Sequence, residues 1–353
     1  MERQFYLELA ARGLRMPIGA HLVLHDQSDP EAVLMDGQRL GQVIEETARR
    51  YHTPLAISLM DLTIEKEALL EMLDVPPKEI PTFHFEECPP DDAIDQVARR
   101  MATYHGARVD ASVAAIRHVA NQSDLMPIGM VIGPFSLMVK LVSDPIAAVY
   151  QAGRGRTAAD VPKLAIIERA LDLGTRVIEW SIRAQVEAGA RGMVVCEPAA
   201  STAYISPHQM KAENNVFDRY VMSYNHRLKR VLDELGADLV FHCCGEITTD
   251  ILRRFVELDP PILSLGSSRN LWEDAEIVPK TTVLYGNLPS KKFFSDTGIT
   301  TEEVQRQSRD LIQRMRAAKH PFILGTECDV LSVPGCQDVI KSKVQAFIDA
   351  PVE

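Results

Sequence analysis

Between Glu213 and Cys244 the chain reads ENNVFDRYVMSYNHRLKRVLDELGADLVFHCC. Its first part sets Phe217, Val221, Tyr224, Leu228, Val231 and Leu235 at the three-to-four spacing that lines up one face of a helix. Gly236 then supplies the residue best able to end that helix in left-handed backbone. The run Asp238 to Cys243 follows at once, short and apolar enough for a buried strand. The segment before it repeats the scheme: Ile167, Leu171, Ile178, Ile182 and Val186 share a face between Lys163 and Ala188, Gly189 stops the helix, and the run Gly192 to Cys196 begins. Helix, glycine and buried strand in alternation predict a parallel α/β architecture.

Working outward, eight such runs can be counted: Pro17 to Leu24, Pro54 to Met60, Pro127 to Ile132, Gly192 to Cys196, Asp238 to Cys243, Pro261 to Leu265, Thr281 to Tyr285 and Pro321 to Leu324. Eight parallel strands suit a closed (β/α)8 TIM barrel. A doubly wound open sheet gives the same alternation but usually carries a Gly-rich phosphate loop after its first strand, and Pro17 to Gln27 contains none. The expectation is therefore a single (β/α)8-barrel catalytic domain over residues 1–353. Two stretches, about Ile64 to Asp124 and Ser143 to Val161, exceed ordinary connections and predict extra helices near the N-terminal part, or a lid over the barrel mouth. The Pro- and acid-rich piece Val75 to Asp92 reads as a surface loop, and no internal repeat or linker marks a second domain.

Composition narrows the function classes. With 353 residues, 46% hydrophobic and 25% charged, the chain can bury a substantial core. A net charge of −11 with scattered Lys and Arg argues against nucleic acid or an anionic membrane as partner. No apolar run reaches the roughly 18 residues of a membrane span, and Met1-Glu2-Arg3-Gln4 does not open a secretory signal, so a cytoplasmic protein is expected. Six cysteines are too sparse for a disulfide scaffold, which leaves metal binding as the use to examine.

The end of the fifth run, Phe241-His242-Cys243-Cys244-Gly245-Glu246, answers that question. Alternate residues of a strand face one side, so His242 and Cys244 can grip one ion while Cys243 faces away. Cys328, in Gly325-Thr326-Glu327-Cys328-Asp329, comes directly after the eighth run and hence reaches the same rim if the barrel closes. One imidazole and two thiolates select zinc, and three protein ligands leave a position open, as in catalytic sites. The ordinary alternative makes these residues small core cysteines and a hydrogen-bonded histidine; the third soft donor at a matching strand end favours metal. Cys88 and Cys336 read as incidental. Glu197, next to Cys196, is the candidate catalytic acid/base or exchangeable fourth ligand, with Glu246 and Glu327 competing for that place.

Read in order, these residues resemble the zinc-dependent branch of the uroporphyrinogen decarboxylase superfamily, the methylcobamide:thiol methyltransferases of the coenzyme M type. The resemblance covers most of the chain. Its pieces are Asp61 to Ala68, Ile132 to Leu137, Glu197 to Ser201 with Ile205-Ser206-Pro207, the His242 to Gly245 strand end, Tyr285 to Leu288, and Gly325 to Cys328. It implies a (β/α)8 barrel and zinc on His242, Cys244 and Cys328. It further implies methyl transfer between a methylcobamide and a small thiol that binds as thiolate. No Asp-x-His-x-x-Gly signature occurs, so the cobalamin is expected from a separate corrinoid protein. Transfer could run the other way, from a methylated small molecule to cobalt(I). A metal-free decarboxylase-like lyase, or a barrel that only binds a tetrapyrrole, is the rival from another class. The decarboxylases hold substrate carboxylates with an Arg-rich segment after the first strand, whereas Leu22 to Asp29 has no arginine here. The Arg-containing Gln151 to Arg156 falls in the wrong part of the chain. Ser201, Tyr204, Ser267 and Asn287, each after a strand, are the expected cofactor- and substrate-binding residues at the mouth.

Overall fold

A computed structural model describes residues 3–210 and 214–351; Glu213, the first residue of the helical stretch read above, lies outside the described residues. Eight strands form one sheet: β1 (Arg15–Ile18), β2 (Leu55–Ile57), β3 (Met126–Ile132), β4 (Gly192–Cys196), β5 (Asp238–Cys243), β6 (Ile262–Leu265), β7 (Val283–Leu288) and β8 (Phe322–Asp329). Their order is β1-β8-β7-β6-β5-β4-β3-β2 and every pairing is parallel, so the sheet curls into a nearly closed (β/α)8 TIM barrel with a seam between β1 and β2.

Strand periodicity splits the core into two layers. Val194, Cys196 and Val240 point into the bore with Ile128, Ile262 and Tyr285. Met193, Val195, Phe241 and Cys243 point outward against the helices. The helix Arg3–Ala11 plugs the N-terminal end of the bore with Tyr6 and Leu9, which belong to the inner layer. Towards the other end the bore is almost filled. A cavity of about 20 Å³ remains beneath His242, with Val240, Ile262, Ser264 and Tyr285 in its wall.

The helix read over Lys163 to Ala188 holds to within a residue, as Pro162–Glu187. The other keeps its end but starts later as an α-helix: Ser223–Leu235 ends on Gly236, whose φ of 67° only a glycine takes without cost. A π-helical turn, Asp218–Met222, precedes the latter. The first run differs from expectation: the strand stops at Ile18, and Ala20–Leu24 is a helix. Ala20, Leu22, Val23 and Leu24 are all buried, and a mainly apolar stretch this short looks the same as strand or as helix. β7 and β8 run beyond the predicted ends, to Leu288 and Asp329, so Thr326 to Cys328 lie within a strand. The long connections hold the extra helices Ile64–Met72, Ala93–Met101, Ala107–Gln122 and Pro145–Gly153.

One of these helices brings a carboxyl into the outer layer. Glu65 is 2% exposed; Ser181 Oγ donates to its Oε1 at 3.0 Å, and its Oε2 has no partner. Burial pushes this carboxyl up to about 7 from 4.5, so it folds neutral. A folded value above the unfolded one gives stability that is complete below about pH 4.5 and drains away as pH rises through 7. The shift corresponds to about 3 kcal/mol. Glu65→Gln keeps a neutral side chain at every pH and is expected to flatten the fall in unfolding free energy between pH 5 and about 8. Equal pH slopes for the two proteins in urea titrations would refute this assignment.

Candidate metal centre at the barrel mouth

The β4–β5 and β5–β6 registers set Cys196 beside His242 and His242 beside Ser264. His242 is 1% exposed. Its Nδ1 lies 2.8 Å from Ser264 Oγ, while its buried Nε2 finds no polar partner outside the sulfurs of the cluster. With the proton on Nδ1, Ser264 accepts it and the Nε2 lone pair is free to ligate. Cys244 follows β5 and Cys328 sits near the end of β8. The ligand atoms of His242, Cys244 and Cys328 all lie within 4.8 Å of one another. Tetrahedral zinc with ordinary bond lengths needs neighbours roughly 3.5–3.8 Å apart, so small side-chain movements suffice.

Charge at the cluster is already sorted for ligation. The Cys328 thiol donates to Cys244, and with help from His242 and Lys291 this holds the Cys244 thiol down to about 4 from 9.0. The same shared proton, together with burial, pushes Cys328 up. A cation would displace the proton between the sulfurs. Cys196 and Cys243 are both pushed up by burial and stay neutral. Cys243 points away from the bore and donates to the Ala200 carbonyl at 3.8 Å.

The structure brings together the three predicted metal ligands but not the predicted carboxylate. Glu197 follows the inward-facing Cys196, so its side chain leaves the bore, and it is fully buried. Phe135 N and Ser136 N donate to it at 2.9 and 3.2 Å and Ser136 Oγ at 2.9 Å, at the start of the helix Pro134–Leu141. Those donors oppose burial, which pushes the carboxyl up to about 7. Glu246 is exposed. Glu327 stands closer to the cluster, next to Cys328, where Ser267 N and Oγ donate to its Oε2 at 3.2 and 2.7 Å.

The four residues expected to bind cofactor or substrate divide. Ser267 and Asn287 are on the rim, Ser267 occupied with Glu327 and Asn287 donating to the Gly266 and Arg269 carbonyls at 2.8 and 2.9 Å. Ser201 is buried against Gly245, where a Cβ would come within 2.6 Å of its own. Tyr204 packs edge-on against Phe135, outside the bore.

Sequence reading missed Ser264, Lys291, Met60 and the His21–Asp329 pair. The Met60 thioether lies 3.9 Å from Cys328 Sγ, and Asp329 pairs with His21. Asp329 carried a signal, since it follows Cys328 directly; Ser264 could be found only through strand register. Ser264→Ala leaves the imidazole without its orienting partner and is expected to weaken zinc binding by about 10–100-fold with folding intact. Competition with a chromophoric chelator measures this, and an unchanged affinity would show that packing alone orients His242.

A barrel with soft donors converging on the C-terminal rim of its strands defines the class: a (β/α)8 enzyme fold carrying a candidate transition-metal centre. The chain belongs to the uroporphyrinogen decarboxylase (URO-D) family, whose model matches residues 32–350. A methyltransferase from Methanosarcina mazei has a similar structure, with a TM-score of 0.67 at 16% identity over 97% of both chains. A 3-keto-D-glucoside 4-epimerase from E. coli aligns at 14% identity over 75% of this chain and 97% of its own, with a TM-score of only 0.39. No curated protein sequence matches the chain. Among the described residues no helix is long and apolar enough to cross a membrane.

Proposed function

We propose that this protein is a zinc-dependent methyltransferase that moves a methyl group between a methylcobamide, carried by a separate corrinoid protein, and a small thiol. The observation that carries the reading is the convergence of His242 Nε2, Cys244 Sγ and Cys328 Sγ within 4.8 Å at the strand ends. These three residues would hold the ion and leave one position for an exogenous sulfur. Bound zinc would supply a Lewis-acid position at which a thiol ionises near neutral pH.

The chain's own residues prepare that position. Ser264 fixes the imidazole, the packed bore below His242 keeps bulk water from approaching from beneath, and Lys291 adds positive charge at the rim. The exposed large apolar residues among those described support a docking partner. Met35, Ile146, Tyr150, Phe294, Leu331 and Val339 lie in the segments that follow β1, β3, β7 and β8. Exposed apolar side chains of this size on a protein this acidic suit a protein surface better than water.

The test is metal analysis joined to a methyl-transfer assay. One zinc per chain and demethylation of methylcobalamin by one of a panel of thiols, both absent in the His242→Ala/Cys244→Ala double variant, are the results expected. Zinc at full occupancy in that variant overturns the site. Zinc lost with it, but no thiol active in the panel, overturns thiol as the methyl acceptor.

A further inference from the structure

The short helical turn Ser290–Lys292, just after β7, touches the backbone of both cysteine ligands. Ser290 Oγ donates to the Cys328 carbonyl at 3.1 Å. Lys291 Nζ donates to the Cys244 carbonyl at 3.4 Å and stands 3.9 Å from Glu327 Oε2. The same loop is braced from behind by Lys343, which is fully buried, donates to the Phe293 carbonyl at 3.0 Å and pairs with Asp296 at 2.8 Å. The ammonium group is thus held beside the sulfur pair by a fixed turn.

Charge counting gives that placement a purpose. Two thiolates cancel a divalent cation and a neutral imidazole adds nothing, so a third sulfur binding as thiolate would leave an excess negative charge. Glu327, nearly buried one residue before Cys328, adds another. Three other cations are already paired: Arg269 with Asp274, Arg108 with Asp61 and His21 with Asp329.

We propose that Lys291 is the counter-ion for the incoming sulfur, a specificity-determining residue that makes the open position of the His242–Cys244–Cys328 site prefer anionic ligands over neutral ones. Ser290 and Lys343 are the positioning residues that keep it there. This rests on the metal site of the proposed function.

The experiment uses protein reloaded with cobalt(II), whose absorption bands report ligation without turnover. It is titrated with 2-mercaptoethanol, which binds as thiolate, and with neutral imidazole. Lys291→Met is expected to weaken thiol binding about two- to fivefold, the loss appropriate to a half-exposed charge pair, while cobalt content and imidazole affinity stay unchanged. Lys291→Arg is expected to recover most of the thiol affinity. Equal affinities in wild type and Lys291→Met, a parallel loss for both ligands, or failure of the variant to load cobalt would each overturn the proposal. Wild-type protein that loads cobalt and binds imidazole but no thiol overturns the proposed function along with it.

Discussion

Cys328→Ala is expected to leave a folded barrel that no longer retains zinc and no longer transfers methyl groups. His242 and Cys244 both come from the end of β5, so Cys328 would be the ligand that turns a two-point clamp into a chelate drawn from two strands. Losing a residue that hydrogen-bonds to a ligand already costs about 10–100-fold in metal affinity, and losing a direct ligand should exceed that. The price in stability is small, because Cys328 is only partly buried and alanine keeps its Cβ. Cys243→Ala is the matched control. It lies between the other two ligands in sequence but faces the helices, and it is expected to keep its zinc. Elemental analysis of the purified proteins, with thermal unfolding alongside, decides the matter. Full zinc in Cys328→Ala, or an equal loss in Cys243→Ala, would contradict the site.

Glu197→Ala is expected to unfold at markedly lower urea, with a loss of about 4 kcal/mol. Its carboxyl takes hydrogen bonds from Phe135 N, Ser136 N and Ser136 Oγ in a fully buried position. Alanine would strand these donors and leave a void. The fit is tight: a Cβ on Gly133 would come within 2.2 Å of the Glu197 carboxyl, so the glycine is what admits it. Glu197→Gln keeps one acceptor oxygen but turns an amide against the remaining donors, and an intermediate loss is expected. Variants that unfold like wild type yet lose activity would return Glu197 to the catalytic role its position in the sequence suggested.

That contrast marks how far the sequence could be read. Strand alternation put His242 and Cys244 on one side and Cys243 on the other, and counting eight runs brought Cys328 to the same rim. Periodicity also sends Glu197 outward once Cys196 is known to face the bore, but neither residue type nor spacing reveals which of the two does. The helix Ala20–Leu24 was hidden because a five-residue stretch with a single polar residue, His21, is too short to betray its period. Ser264 and Lys291 were hidden for another reason. Each acts through a neighbour on a different strand or loop, 22 residues from His242 and 47 from Cys244, and register of that kind is fixed only when the barrel forms.

The seam between β1 and β2 bears on the site in a mechanical way. Both ligand strands belong to the continuous arc β5-β6-β7-β8, whose three ladders are complete. A metal held between β5 and β8 is therefore a chord across the stiff half of the ring, and the missing row of hydrogen bonds lies in the other half. Widening at the seam would alter the size of the mouth through which the proposed methyl carrier would approach, while the span between the ligands stayed set. Admission and coordination can thus vary independently in one barrel.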